Sequence, residues 1–211
     1  MSSDVLLIVL TENTWLYAGL AALLPDMNCV MLEFNARQVP KEIKYADRVI
    51  VVVDSLIFFR GDWQGFNDIK FQRPDTLVYW LTRKETGSVY PVKSHGERLL
   101  NQQQDILSLR NALLGRSRKT KPAIYVSPPN LTLAERYLLP FFCSGMDVTL
   151  LSRKTGKLVK TLYSHRKNIL AKTGFRHLAF LQFVYKKNSG LPCLSEEVYN
   201  TKIHEVDMME Q

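Results

Sequence analysis

Little in this chain suggests a metal, an oxidising compartment or a lipid bilayer. Cys29, Cys143 and Cys193 are its three cysteines. They stand far apart, with no Cys-x-x-Cys and no paired histidine spacing, so neither a disulfide framework nor a zinc site is indicated. The apolar run near the amino terminus, Val5 to Leu10, is too short for a signal-peptide core or a membrane span. The expectation is a soluble, cytoplasmic protein with no membrane partner. No glycine-rich phosphate loop follows that run, which removes the nucleotide-binding enzyme classes that depend on one. No cofactor, no metal and no catalytic residue is implied, and an α/β enzyme working through Asp54 is a poor reading.

The most informative scarcity is of acid in one part of the chain. From Gly115 to Lys187 there are 15 Lys+Arg and two acids, Glu135 and Asp147. Residues 1–114 are near neutral, with 12 basic and 13 acidic residues, and the tail 188–211 is acidic, with Glu196, Glu197, Glu205, Asp207 and Glu210 against Lys202. The net +8 is therefore local. An excess confined to one region is the footprint expected of a surface for an acidic polymer. A solvated basic face with no partner is the competing reading.

Periodicity divides the chain in the same places. "VLLIVL" (Val5 to Leu10), Val30 to Glu33, "RVIVVV" (Arg48 to Val53), Thr76 to Leu81 and a weaker Arg98 to Leu100 read as strands. Leu16, Leu20, Leu23 and Leu24 recur at helical spacing until Pro25, and Asp105 to Leu114 is amphipathic, with Ile106, Leu109 and Leu113 on one side. Strands alternating with helices predict an α/β domain with a parallel sheet over residues 1–114. The carboxyl ends of its strands carry Glu12, Asp54 and Thr82, where such sheets place chemistry. Residues 115–130, "GRSRKTKP" followed by "YVSPPN", read as a basic, proline-containing linker.

From 131 to 187 the pattern is helical throughout. Thr132 and Glu135 make a capping box, Leu138, Leu139 and Phe142 an apolar face, and Gly145 a stop. A short helix around Val148 to Arg153 and a turn near Gly156 follow. "TLYSHRKNILAKTG" (Thr161 to Gly174) reads as the third helix, with Leu158, Leu162 and Ile169 turned inward, and Leu178 to Tyr185 as a fourth, carrying Leu181 and Val184. Pro140 inside the first helix predicts a kink.

The order Leu131, Thr132, Glu135, Leu139, Gly145, Thr161, Leu162, His165, Asn168, Ile169, Lys172 and Gly174 resembles the LuxR/FixJ type of helix-turn-helix DNA-binding domain, with spacings that match without a gap. The chain departs from the family pattern at Leu158, where a serine usually precedes the third helix, and at Thr173, where leucine is usual. The amino-terminal half is similar to the flavodoxin-like receiver domain that precedes this module in response regulators. The resemblance implies an acid pair after strand 1, an acceptor Asp after strand 3, a Ser or Thr after strand 4 and a Lys after strand 5. Here those places hold Thr11 and Glu12, Asp54, Thr82 and Asn101. With one carboxylate and the Lys missing, the charge that builds on a transferred phosphoryl group is poorly neutralised. The expectation is a receiver-like domain that does not run on phosphate, and the combination resembles auxiliary regulators of the RcsA and BglJ kind, which act with a phosphorylatable partner.

The resemblance implies double-stranded DNA as the partner, read by the third helix in the major groove. It gives Lys167, with Tyr163 and Ser164 one turn earlier, to base contact, and Lys160, Thr161, Arg166 and Lys172 to phosphates. Glu12, Asp54 and Thr82 become a vestigial receiver site. His165 has no nucleophile or orienting carboxylate to work with and reads as a packing or phosphate-contacting residue. The function expected is a bacterial transcription regulator acting as a homodimer, or as a heterodimer with a related response regulator. The alternative is an interaction protein that sequesters such a regulator through its receiver-like domain.

Overall fold

The computed structural model describes residues 5–82, 87, 90–91, 94–115 and 124–188, which form two compact units: 5–82 with 96–115 and 124–125, and 126–188 with 87, 90–91 and 94–95. The basic part of the expected linker, 116–123, and the acidic tail from 189 onward lie outside the described residues.

In the first unit, six strands form one sheet. They are β1 (Val5–Leu10), β2 (Asn28–Leu32), β3 (Arg48–Val53), β4 (Leu77–Thr82), β5 (Arg98–Asn101) and β6 (Ile124–Tyr125), in the order β2-β1-β3-β4-β5-β6. The five pairs of neighbours are parallel except the last, in which β6 runs antiparallel to β5 with Arg98 opposite Tyr125. The sheet is thus mostly parallel, as the sequence predicts. β6 falls inside the segment read as linker, and its two exposed residues carry no periodicity that marks a strand. β2 begins two residues before the expected strand, and β4 begins one residue later and ends one later.

Both faces of the sheet are covered, which is why β1 and β3 are apolar almost without break. Leu7, Val9, Ile50, Val52, Tyr79 and Leu81 face Leu20, Leu24 and Leu113 beneath α1 (Thr14–Leu23) and α4 (Ile106–Leu113). Arg110 Nε donates to the Leu23 carbonyl at 3.2 Å, joining the two helices. Ile106 does not share the buried side of α4 as its spacing predicts; it sits in the first turn, exposed. On the opposite side α2 (Ile57–Arg60) and α3 (Gln64–Gln72) enclose Trp80, whose ring centroid lies 5.7 Å from Phe58, 5.2 Å from Phe66 and 6.2 Å from Trp63. The indole N–H donates to Glu97 at 2.6 Å, and Lys70 meets the other carboxylate oxygen at 3.0 Å. α3 comes so close to the chain after β2 that a Cβ on Gly65 would stand 2.8 Å from the Glu33 carbonyl, and only glycine fits there.

The second unit holds α5 (Leu133–Cys143), α6 (Val148–Thr155), α7 (Val159–Thr173) and α8 (Leu178–Lys187). The capping box is present: Thr132 Oγ1 accepts from the Glu135 amide at 3.3 Å, and the Glu135 carboxylate accepts from the Thr132 amide at 2.8 Å. α5 runs through Pro140, which withholds the amide that the Arg136 carbonyl would otherwise receive. It ends where Gly145 takes φ 79°, with the Met146 amide donating to Phe141 and the Gly145 amide to Phe142. Leu138, Leu139, Phe142, Leu151, Leu162, Ile169, Leu181 and Val184 are buried and form the core. Burial pushes the Cys143 thiol up to about 12, so it packs as an inert apolar group.

Leu158 does not turn inward as its spacing predicts. It is the N-cap of α7, 75% exposed, and offers no side-chain bond to the orphan amides of the first turn. A position outside the helical repeat cannot follow the buried stripe.

Candidate nucleic-acid interface

α7 separates two kinds of surface. Leu162, Ile169 and Thr173 are buried, and the Thr173 hydroxyl donates to the Ile169 carbonyl at 2.7 Å. Lys160, Thr161, Tyr163, Ser164 and Lys167 are exposed, and Arg166 is half-buried. The helix carries no acid from Val159 to Thr173. Lys160, Ser164 and Lys167 recur at spacings of four and three, so they share one strip of the exposed side. Asn168 is exposed beside them, a donor-and-acceptor side chain that the sequence reading used only as a motif position.

Several side chains on this helix are constrained. The Arg166 guanidinium lies over the Tyr163 ring, 4.5 Å from its centroid, which holds both groups in one orientation. Ser164 Oγ donates to the Lys160 carbonyl at 3.2 Å, which leaves its oxygen able to accept. Lys172 Nζ lies 2.7 Å from Glu135 Oε2 on α5. The carboxylate is almost wholly buried, and the Lys172 side chain is 35% exposed. Burial pushes the Glu135 carboxyl up, but the Lys172 ammonium and the Thr132 amide outweigh it and leave the group below its ordinary value. No local signal announces a pair 37 positions apart in sequence.

The sheet-end residues make a different site. Asp54 follows β3 and is fully buried. Its Oδ2 accepts from the Thr11 hydroxyl at 2.8 Å, and its Oδ1 from the Leu56 amide at 3.2 Å. Both donors are neutral. Glu12 lies instead against Arg60, 2.6 Å away, at the end of α2. The Thr82 hydroxyl donates to the Leu100 carbonyl at 3.2 Å, and Asn101 sits directly opposite Thr82 in the β4–β5 register. The fold therefore brings Thr11 and Asp54 into contact and occupies Glu12 and Thr82 elsewhere. Arg60 belongs to α2, which at four residues is too short to show a helical period in the sequence.

The fold is similar to solved structures of response regulators. RcsB in complex with DNA matches over 88% of this chain and 98% of its own, with a TM-score of 0.58 and 18% identity. RcsB from Salmonella enterica serovar Typhimurium, bound to promoter P1flhDC in the presence of the phosphomimetic BeF3-, matches over 88% and 98%, with a TM-score of 0.57 and 16% identity. The same protein bound to promoter rprA matches over 91% and 98%, with a TM-score of 0.56 and 17% identity. At these identities the likeness is one of fold. No protein-family model and no curated protein matches the chain.

Proposed function

We propose that this chain is a transcription regulator that binds double-stranded DNA through α7, with Lys160, Thr161, Tyr163, Ser164, Arg166 and Lys167 at the duplex. The observation that carries the reading is the division of α7 into a buried apolar stripe and an exposed side that is basic, free of acid and partly preorganised by the Arg166–Tyr163 stack. A helix of that kind presents cations to phosphates and donors to base edges in the major groove. The fold it shares with RcsB, solved in complex with DNA, supports the same reading. Binding by a basic face releases counterions, so affinity for any duplex falls as salt rises. The test is a salt titration of the full chain with random and with selected duplexes. A weak, steep dependence on random DNA and a tighter, shallower one on a selected sequence are expected. Failure to retain either duplex at any salt concentration would end the reading.

The receiver-like unit, in this proposal, works without phosphorylation, as in the auxiliary RcsA and BglJ kind. Asp54 is sealed by Thr11, and Arg60 holds the acid that would otherwise help bind a metal ion. Transfer of a phosphoryl group needs an accessible carboxylate and cations around the equatorial oxygens. Regulation then rests on assembly: a heterodimer with a related response regulator, or a homodimer, on adjacent half-sites.

One observation favours the second reading, in which the chain works mainly by holding another regulator. Trp15 is 86% exposed on α1, a helix with no charged residue between Thr14 and Leu23. An apolar, uncharged helix face suits contact with another protein. Comparing Trp15→Ser with the unaltered chain, with and without related regulators, separates the two: loss of partner-dependent DNA binding supports assembly on DNA, and release of a related regulator from inhibition supports the second reading.

A further inference from the structure

We propose that Lys172 is a positioning residue that, with Glu135, fixes the pose of α7 on α5, and does not contact phosphate. The inference rests on the DNA-binding reading above. Glu135 Oε2 receives two donors at once, the Thr132 amide at 2.8 Å and the Lys172 ammonium at 2.7 Å, so one buried carboxylate both closes the capping box of α5 and holds the last turn of α7. Drawing Lys172 off Glu135 onto a phosphate would leave a buried charge without its cation, which is strongly unfavourable. The same turn is closed by the helix's own cap, with Gly174 at φ 76° and the Phe175 amide returning to the Leu170 carbonyl at 3.0 Å. The opposite end has no side-chain cap, and there Lys160, Thr161 and Tyr163 begin the exposed side. The helix is thus fastened at its carboxyl end by α5 and reads from its amino end. A lysine in the last turn also complements the helix dipole, which adds to the bias toward this arrangement.

The position of a recognition helix sets base contacts to within a fraction of an ångström, whereas phosphate attraction tolerates small shifts. A lost phosphate contact and a lost support therefore leave different marks. Removing a phosphate-bound lysine lowers the salt slope by about 0.9 and weakens all duplexes alike. Removing a support leaves the slope unchanged and erodes only the preference for the selected sequence.

The experiment uses the full chain in four forms: unaltered, Lys172→Arg, Lys172→Gln, and the double variant Glu135→Gln with Lys172→Gln. The double variant leaves no lone buried charge and keeps an acceptor for the Thr132 amide, so it covers the case in which Lys172→Gln fails to fold. Each form is titrated with a random duplex and with a duplex selected by the unaltered chain, across a range of salt. The expected result is, for each duplex, a salt slope shared by all four forms, random-duplex affinity within about twofold, and a roughly tenfold loss of preference in both glutamine variants that Lys172→Arg does not show. A slope lower by about one unit in the glutamine variants, or a preference that survives in them, overturns the positioning role while leaving DNA binding in place. Failure of the unaltered chain to retain any duplex overturns the DNA reading itself, and the positioning role with it.

Discussion

At the scale of single residues, Asp54 and Glu135 are two buried carboxylates with opposite fates. Asp54 is satisfied by neutral donors, the Thr11 hydroxyl and the Leu56 amide. Asp54→Ala strands both, at a cost of about 1–3 kcal/mol, seen as a lower denaturant midpoint of the receiver-like unit. DNA affinity is expected to stay the same with or without a small phosphodonor. Uptake of phosphate that disappears together with activity in Asp54→Ala contradicts the degenerate-receiver reading. Glu135 titrates below its ordinary 4.5, so its contribution to stability is complete above that pH and is lost as pH falls through the lower folded value. Helical circular dichroism of Glu135→Gln should accordingly show a flatter acid limb below about pH 4.5. An unchanged limb removes the Lys172 pair from the account.

Two exposed lysines are expected to differ. Lys160→Ala should weaken binding to every duplex and flatten the salt slope by about 0.9. Lys167→Ala should shift the sequence preference by about 1–3 kcal/mol per affected base pair. Equal effects from both on all sequences place the groove-facing strip elsewhere on α7.

At the scale of elements, the sequence reads well where burial is two-sided or strictly periodic. β1 and β3 keep their expected bounds because continuous apolar runs have one home in an α/β sheet. The capping box and the glycine stops of α5, α6 and α7 are local chemistry, legible without tertiary information. What escaped reading is set by distant partners. β6 exists because β5 offers it an edge, α2 spans four residues, and Glu12 meets an arginine 48 positions away. The candidate interface is legible as a type, a basic helix without acid, but not in its constraints: the Arg166 stack and the Lys172 pair are visible only in three dimensions. Leu158 gives an element-scale prediction. Leu158→Ser supplies the missing cap and should stabilise the helical unit by about 1 kcal/mol, raising its melting temperature. No gain means that the first turn is satisfied in another way.

At the scale of the whole molecule, the chain joins a basic helical unit to a sheet unit whose sheet-end acids are occupied. In the function proposed above, regulation depends on assembly on DNA, since one helix-turn-helix would read a half-site and paired modules would set the spacing. Added to a related response regulator, the protein is expected to extend the footprint to an asymmetric pair of half-sites; a tight, symmetric footprint from the protein alone, in cells lacking every related regulator, contradicts the heterodimer. The central claim, that α7 reads DNA sequence, is tested most directly by selecting from a random duplex pool with the full chain and with Lys160→Ala/Lys167→Ala. The account predicts that the unaltered chain enriches one short motif and the double variant enriches none while keeping its fold. Equal enrichment of the same motif by both would contradict it.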